Sequence, residues 1–242
     1  MNHFLVFRIY APMMSFGEVA VGESRSSANW PTRSAIFGMV AAALGILRDE
    51  EEKLQNLSES LKLGLCRRSP GSILRDYHTV QMPSQKDVPK KTGLFTRKQE
   101  LEREPDSLNT MLSTREYFCD AVFDAVLQGD PLQLKEIQKS LLQPKFTLYL
   151  GRKSCPLGLP LGPELFEAED FMVALEKYHE QRQIQGNDFL NPLLSDKQVR
   201  YQWDLGMKKV KEGDEKITRY DRCISRDKWL FVTRDVLQGG RL

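Results

Sequence analysis

Phe4-Leu5-Val6-Phe7-Arg8-Ile9-Tyr10 is a short, apolar, β-prone run. It reads as a buried first strand, and it ends at Ala11-Pro12, where proline removes a ladder donor. A loop, Met13-Met14-Ser15-Phe16-Gly17, and a polar stretch with Ser24, Arg25, Ser26 and Ser27 follow. Pro31-Thr32-Arg33-Ser34 then marks a helix start, with proline near the first turn and hydroxyls available for capping. The helix runs over 35–44, with Ile36, Phe37, Val40 and Leu44 on one face at helical spacing. Gly38 and the alanines suit close packing on a sheet. A second, amphipathic helical segment covers 50–61.

Residues 61–67 alternate as a half-buried strand, 69–71 form a turn, and 73–80 are another strand. From 81 to 114 the periodicity fades, while Lys86, Lys90, Lys91, Arg97, Lys98 and Arg103 accumulate. This stretch is too long for a simple connection and reads as a protruding hairpin or arm. Residues 115–127 return to strand, with Tyr117, Cys119, Ala121 and Phe123 on one face. Gly129-Asp130-Pro131 opens a helix over 132–142. Residues 146–150 are β-prone, a Pro/Gly-rich loop runs to Pro163, and 168–183 form a helix. Short strands follow at 199–203, 216–220 and 229–233. The order β-α-β-β, arm, β-α and a β-rich remainder fits an α+β, ferredoxin-like plan, which RNA-recognition domains also use. The expected division is a ferredoxin-like (RRM-like) RNA-binding domain over 1–160, with the arm inserted at about 81–114. A β-rich C-terminal extension over 161–242 packs on the same domain.

Of 242 residues, 40% are hydrophobic and 28% charged, enough for a sizeable core and incompatible with wholesale disorder. No apolar run approaches the roughly 18 residues of a spanning helix, and the N-terminus lacks a basic region followed by an apolar one. A soluble cytoplasmic protein with no membrane partner is expected. Cys66, Cys119, Cys155 and Cys223 show no CxxC-like spacing and read as buried free thiols. The net charge of +2 hides alternation: residues 1–60 carry net −2, 61–115 net +5, 116–196 net −6 and 197–242 net +5. Such a chain can present a basic face while staying nearly neutral.

No Walker A or Rossmann fingerprint is present, since Gly151-Arg152-Lys153-Ser154 lacks the upstream glycine of a phosphate-binding loop. His3 and His179 read as surface residues. Carboxylates at metal-ligand spacing are absent, so neither metal nor cofactor is expected. His78, beside Tyr77 and within reach of a lysine, offers the groups for metal-independent RNA cleavage. Strand alternation, however, sends Tyr77 and His78 to opposite faces, which favours a plain strand residue or an RNA contact. What stands out is arginine, aromatic and hydroxyl residues grouped in loops and strand ends. Arginine and lysine neutralise phosphates, helix-start amides and hydroxyls bind phosphate oxygens, and exposed rings stack unpaired bases. The expected RNA contacts are Met13, Met14, Ser15, Phe16, Gly17, Arg25, Arg33, Ser34, Arg75, Tyr77, His78, Thr79, Arg115, Tyr117, Tyr149, Gly151, Arg152, Lys153 and Ser154.

These motifs also resemble a known family. The Ala-Pro-Met…Gly loop, Pro31-Thr32-Arg33-Ser34 entering a Gly/Ala-rich helix, Leu44-Gly45-Ile46, and Leu57-Ser58-Glu59-Ser60 occur in order. Arg75-Asp76-Tyr77-His78-Thr79, Arg115-Glu116-Tyr117-Phe118-Cys119-Asp120-Ala121, and the run from Pro144 to Leu157 follow. Over roughly residues 1–161 the series resembles the CasD-type family, 5′-handle-binding subunits of the type I-E CRISPR surveillance complex, Cascade. The resemblance implies a member of the repeat-associated RNA-binding superfamily, with a ferredoxin-like domain and a thumb that packs over the guide. It implies a non-catalytic subunit that holds the 5′ handle of the CRISPR RNA and caps the backbone filament for antiviral DNA interference. The partners implied are the backbone subunit CasC, the large PAM-reading subunit CasA, and target DNA near the PAM-proximal end of the guide. In this subtype a separate subunit processes the guide. Relatives in the type I-C system cleave RNA themselves, so a metal-independent endoribonuclease acting on repeat RNA is the alternative. Segment 81–114 exceeds the family's usual thumb in length.

Overall fold

The N-terminal apolar run forms β1 (Asn2–Tyr10), one strand in from the edge of a seven-stranded antiparallel sheet. The computed structural model describes residues 1–18, 20, 22–83, 96–102, 105–184, 190–194 and 199–240. Four two-residue strands follow β1: β2 (Met13–Met14), β3 (Phe16–Gly17), β4 (Ser24–Arg25) and β5 (Ser27–Ala28). Then come α1 (Arg33–Leu44), α2 (Glu51–Ser60), β6 (Lys62–Ser69) and β7 (Ser72–Pro83). The next elements are α3 (Arg97–Leu101), β8 (Leu108–Cys119), β9 (Val122–Gln128) and α4 (Pro131–Leu142). The chain closes with β10 (Glu164–Ala168), α5 (Phe171–Ile184), β11 (Arg200–Asp204), β12 (Glu215–Ser225) and β13 (Leu230–Gly240).

The sheet order is β10-β1-β9-β6-β11-β13-β12. Side chains alternate across a strand, so β1 feeds two cores. Leu5, Phe7 and Ile9 pack with Ile36, Phe37, Val40, Leu134 and Ile137, under α1 and α4. Phe4 and Val6 pack with Phe171, Leu175, Tyr178 and Trp203, under α5. Burying each such large side chain contributes on the order of 1.5–3 kcal/mol, which accounts for β1 being apolar on both faces.

Local signals set the helix ends. The Thr32 hydroxyl accepts the Ala35 amide at 3.2 Å, and α1 stops at Gly45, whose φ of 79° suits glycine. Asp130 caps α4 by accepting the Leu132 and Gln133 amides. Asp170 does the same for α5 at Met172 and Val173.

The structure corrects several boundaries. The strand expected over 115–127 is two strands in different sheets. It breaks at Asp120, whose φ is 58° and whose carboxylate accepts the Tyr10 hydroxyl at 3.1 Å. Residues 146–150 make no strand apart from an isolated bridge, Tyr149 to Pro156. The backbone there is used elsewhere: the amides of Lys145 and Phe146 donate to Ala43 and Ala42 at the end of α1. Ala168 ends β10, opposite Asn2, and does not start a helix. The last two C-terminal strands, β12 and β13, are each eleven residues long, about twice the expected length.

The arm begins as a twelve-residue ladder, from Ser72 opposite Cys119 to Pro83 opposite Leu108. Strand structure therefore enters the stretch expected to be irregular at both ends. Residues 84–95 and 103–104, with Lys86, Lys90, Lys91 and Arg103, lie outside the described residues. Only Pro70-Gly71 separates β6 from β7, and only Asp120-Ala121 separates β8 from β9. The arm thus continues two strands of the main sheet.

His179 is not a solvated surface residue. Its Nε2 lies 2.8 Å from Asp124, which is fully buried and bound by Arg8 Nε at 2.7 Å. A charge as deep as Asp124 persists only when paired in this way. Among the described residues, no helix is long and apolar enough to cross a membrane.

Candidate nucleic-acid interface

Four of the sequence motifs converge at the base of the arm. The strand β4 pairs in parallel with β8, setting Arg25 directly opposite Arg115. The Ser15 amide donates to the Leu150 carbonyl at 3.1 Å, and its hydroxyl donates to the Glu116 carbonyl at 3.0 Å. This ties the N-terminal loop to both the 149–154 turn and β8. Gly151 has φ of 85°, and a Cβ there would lie 1.5 Å from the Ser15 carbonyl oxygen. Only glycine permits this approach.

Arg152 spans the junction. It donates to the Glu116 carbonyl at 3.3 Å and the Arg25 carbonyl at 3.1 Å, and lies 4.5 Å from the centre of the Tyr117 ring. Arg75 Nε reaches Glu116 at 3.1 Å while its side chain stays largely exposed. Arg25, Lys153, Ser154, Gly151 and Gly17 are exposed, and Arg115, Arg152 and Met13 are half-buried. Like charges placed opposite each other in a sheet repel, so Arg25 and Arg115 gain from an anion between them. Glu116 neutralises only part of the cluster.

Farther out on the arm, Tyr77 is 65% exposed and Thr79 is exposed, while His78 Nδ1 sits 2.8 Å from Asp76 Oδ2. Tyr77 lies opposite Thr114 and His78 opposite Ser113, so the two side chains point to opposite faces of the ladder. Tyr149 is partly exposed beside the 151–154 turn.

Other expected contacts are committed to the fold. Met14 and Phe16 are buried in the core, with Phe16 edge-on to Phe123 at 6.3 Å. Tyr117 is buried beneath Arg152, and the buried Ser15 spends its groups internally. None of these offers a surface for a base. Arg33 is the largest correction. Its guanidinium is buried, pairs with Asp204, and donates to the carbonyls of Ser58 at 2.7 Å and Leu61 at 2.9 Å. Its amide donates to Asp221 at 2.8 Å. Burial pushes the Arg33 guanidinium below its ordinary value, Asp204 pulls it back up, and nearby Arg234 pushes it down again. Arg234 in turn holds Asp221 at 2.7 Å and Asp204 at 2.5 Å. Arg33 therefore locks α1 to the C-terminal strands. Ser34 stays half-buried on the wall of a cleft beside α1.

The reading of the sequence missed Phe146, Tyr220 and Trp229, which are exposed aromatics. The sequence pattern places Trp229 at a strand start, and only its setting in a turn distinguishes it. Burial pushes the thiols of Cys66 and Cys155 up, so both stay protonated at neutral pH. Among the described residues, no three His, Cys, Asp or Glu side chains cluster to hold a metal.

Fold and site define a mixed α/β protein: an antiparallel sheet extended into a two-stranded arm, with arginines gathered where the two join. The family described as CRISPR-associated protein (Cas_Cas5) matches residues 4–237, and the chain belongs to it. It is 36% identical over 189 residues to "CRISPR system Cascade subunit CasD" of Escherichia coli (strain K12), covering 74% of this chain and 78% of that one. A solved structure titled "CRISPR RNA-guided surveillance complex" superposes with a TM-score of 0.63 at 23% identity, over 97% of this chain and 88% of its own. Another, "Crystal structure of Cas protein", gives 0.57 at 22% identity, over 97% and 93%. At those identities the structures bear on the fold alone.

Proposed function

We propose that this protein is a non-catalytic RNA-binding subunit of a type I-E Cascade complex, holding the 5′ handle of the guide RNA and capping the backbone filament. The observation that carries the reading is the convergence of Arg25, Arg75, Arg115, Arg152 and Lys153 at the base of the arm. Similarity to the E. coli CasD subunit supports it. In this reading the partners are the CRISPR RNA handle, the backbone subunit CasC, the PAM-reading subunit CasA and target DNA near the start of the guide, and the complex works in the cytoplasm. Target sequence would be read by guide pairing, not by these side chains.

The strand order β10-β1-β9-β6, with helices between β1 and β6 and between β9 and β10, supports a ferredoxin-like, RRM-like domain. The arm is its thumb. The division proposed is 1–160 for that domain and 161–242 for a β-rich extension packed on it. Repeat-RNA cleavage is disfavoured, because an acid and a base must reach one phosphodiester together, and Tyr77 and His78 face opposite ways.

Incubating the purified protein with labelled repeat RNA in chelator tests the reading. Binding without cleavage is expected. Metal-free cleavage abolished by His78→Ala would establish a ribonuclease, and absence of binding would leave a protein scaffold.

A further inference from the structure

A cleft of about 760 Å³ opens between α1, residues 146–151 and the loop joining β12 to β13. On α1 it is lined by Ala35, Gly38, Met39 and Ala42, with the Arg226 guanidinium 3.5 Å from where a Cβ on Gly38 would sit. Gly17, Tyr149 and Gly151 line its edge, so the cleft is continuous with the basic cluster.

Trp229 forms the opposite wall and is 58% exposed. Its φ of 54° is a left-handed conformation that a bulky residue adopts against a steric penalty. Glycine would meet none there. Two guanidiniums lie over the ring, Arg48 at 5.1 Å and Arg226 at 5.6 Å from its centre. Arg226 is held by its hydrogen bond to the Ser34 carbonyl at 2.9 Å, and Phe231 meets Trp229 edge-on at 6.0 Å. Ring and cations are thus positioned before any ligand arrives. An occupant that gains from this wall brings a π face and negative charge together, as a nucleotide does. Glu18, on the rim, favours a base over a bare phosphate inside.

We propose that Trp229 is the stacking platform for one unpaired base of the bound RNA, with Arg48 and Arg226 set toward the phosphates on either side. The inference rests on the RNA-binding reading above and adds the C-terminal hairpin to the site.

Trp229 is a convenient reporter, because Trp30 and Trp203 are 3% and 1% exposed. Single-stranded repeat RNA is expected to quench its emission and shield it from acrylamide. Trp229→Gly removes the ring and relaxes the backbone together. Its thermal stability should equal or exceed that of the parent while affinity for the RNA falls about tenfold. Loss of stability with unchanged affinity in the folded protein would make Trp229 structural and overturn the proposal. So would equal binding by both proteins, or shielding of Trp229 by a partner protein but not by RNA. RNA that bound neither protein would remove the RNA-binding reading itself.

Discussion

Ser15 and Gly151 approach so closely that no side chain fits between them. A methyl group on Gly151 would sit inside the Ser15 carbonyl contact, on a backbone already in the left-handed region. Gly151→Ala should therefore lower unfolding free energy by about 3 kcal/mol or more, measurable in urea. Arg33→Ala should cost a comparable 3–5 kcal/mol, because it leaves Asp204 short of a buried cationic partner and the Ser58 and Leu61 carbonyls without their donor. Arg33→Ala protein that remains folded should bind RNA as the parent does, since that guanidinium faces inward. Acid should act on the same network. Burial works to raise the Asp221 and Asp124 carboxyls, but Arg234 holds the first below its ordinary value, and Arg8 with His179 holds the second there. A depressed folded value contributes stability above the unfolded value, about pH 3.9, which is lost as pH falls through the folded one. The urea midpoint should thus be nearly level from pH 7 to about 5 and decline below about 4, with a shallower decline in Asp221→Asn.

The arm differs from the rest of the sheet in having solvent on both faces. Leu74, Val80 and Met82 of β7 and Met111 and Leu112 of β8 are exposed apolar side chains, whereas β1 and β9 are covered on both sides. Amides in the outer half of the β7–β8 ladder should exchange faster than those of β1 and β9 in the isolated protein. They should become protected on assembly with guide RNA and backbone subunits. Protection equal to that of β1 in the free protein would contradict this. Strands that bury one or both faces were legible from their apolar patterns, and α1 and α4 from their caps. What escaped was set by distant partners. The strand β10 is five residues that make sense only beside β1, and the break at Asp120 depends on Tyr10. The two-residue strands carry no periodicity. At the site, residue type revealed the basic clusters but not depth, so Met14, Phe16, Tyr117 and Arg33 read as surface groups until burial separated them from Arg25, Arg75 and Lys153.

Across the whole molecule, cations from segments far apart in sequence meet at one place, and bound RNA should respond to them collectively. If four or five phosphates are neutralised there, the slope of log affinity against log salt should be about −3. Replacing Arg152 and Lys153 together by Ala should make it shallower by about 1 to 1.5. A flat response in the parent would count against the cluster. The junction of arm and sheet also decides how force passes through the molecule once RNA is bound. Both strands of the arm emerge from the centre of the sheet with two residues between segments, and the ladder reaches about 40 Å at the usual rise per residue. A loop-tethered arm would absorb a sideways load by swinging. This one acts as a lever whose fulcrum is the pair β6 and β9. Tension on a nucleic acid held along the ladder would therefore be delivered to the interior of the protein as torque, onto strands whose side chains belong to both buried cores.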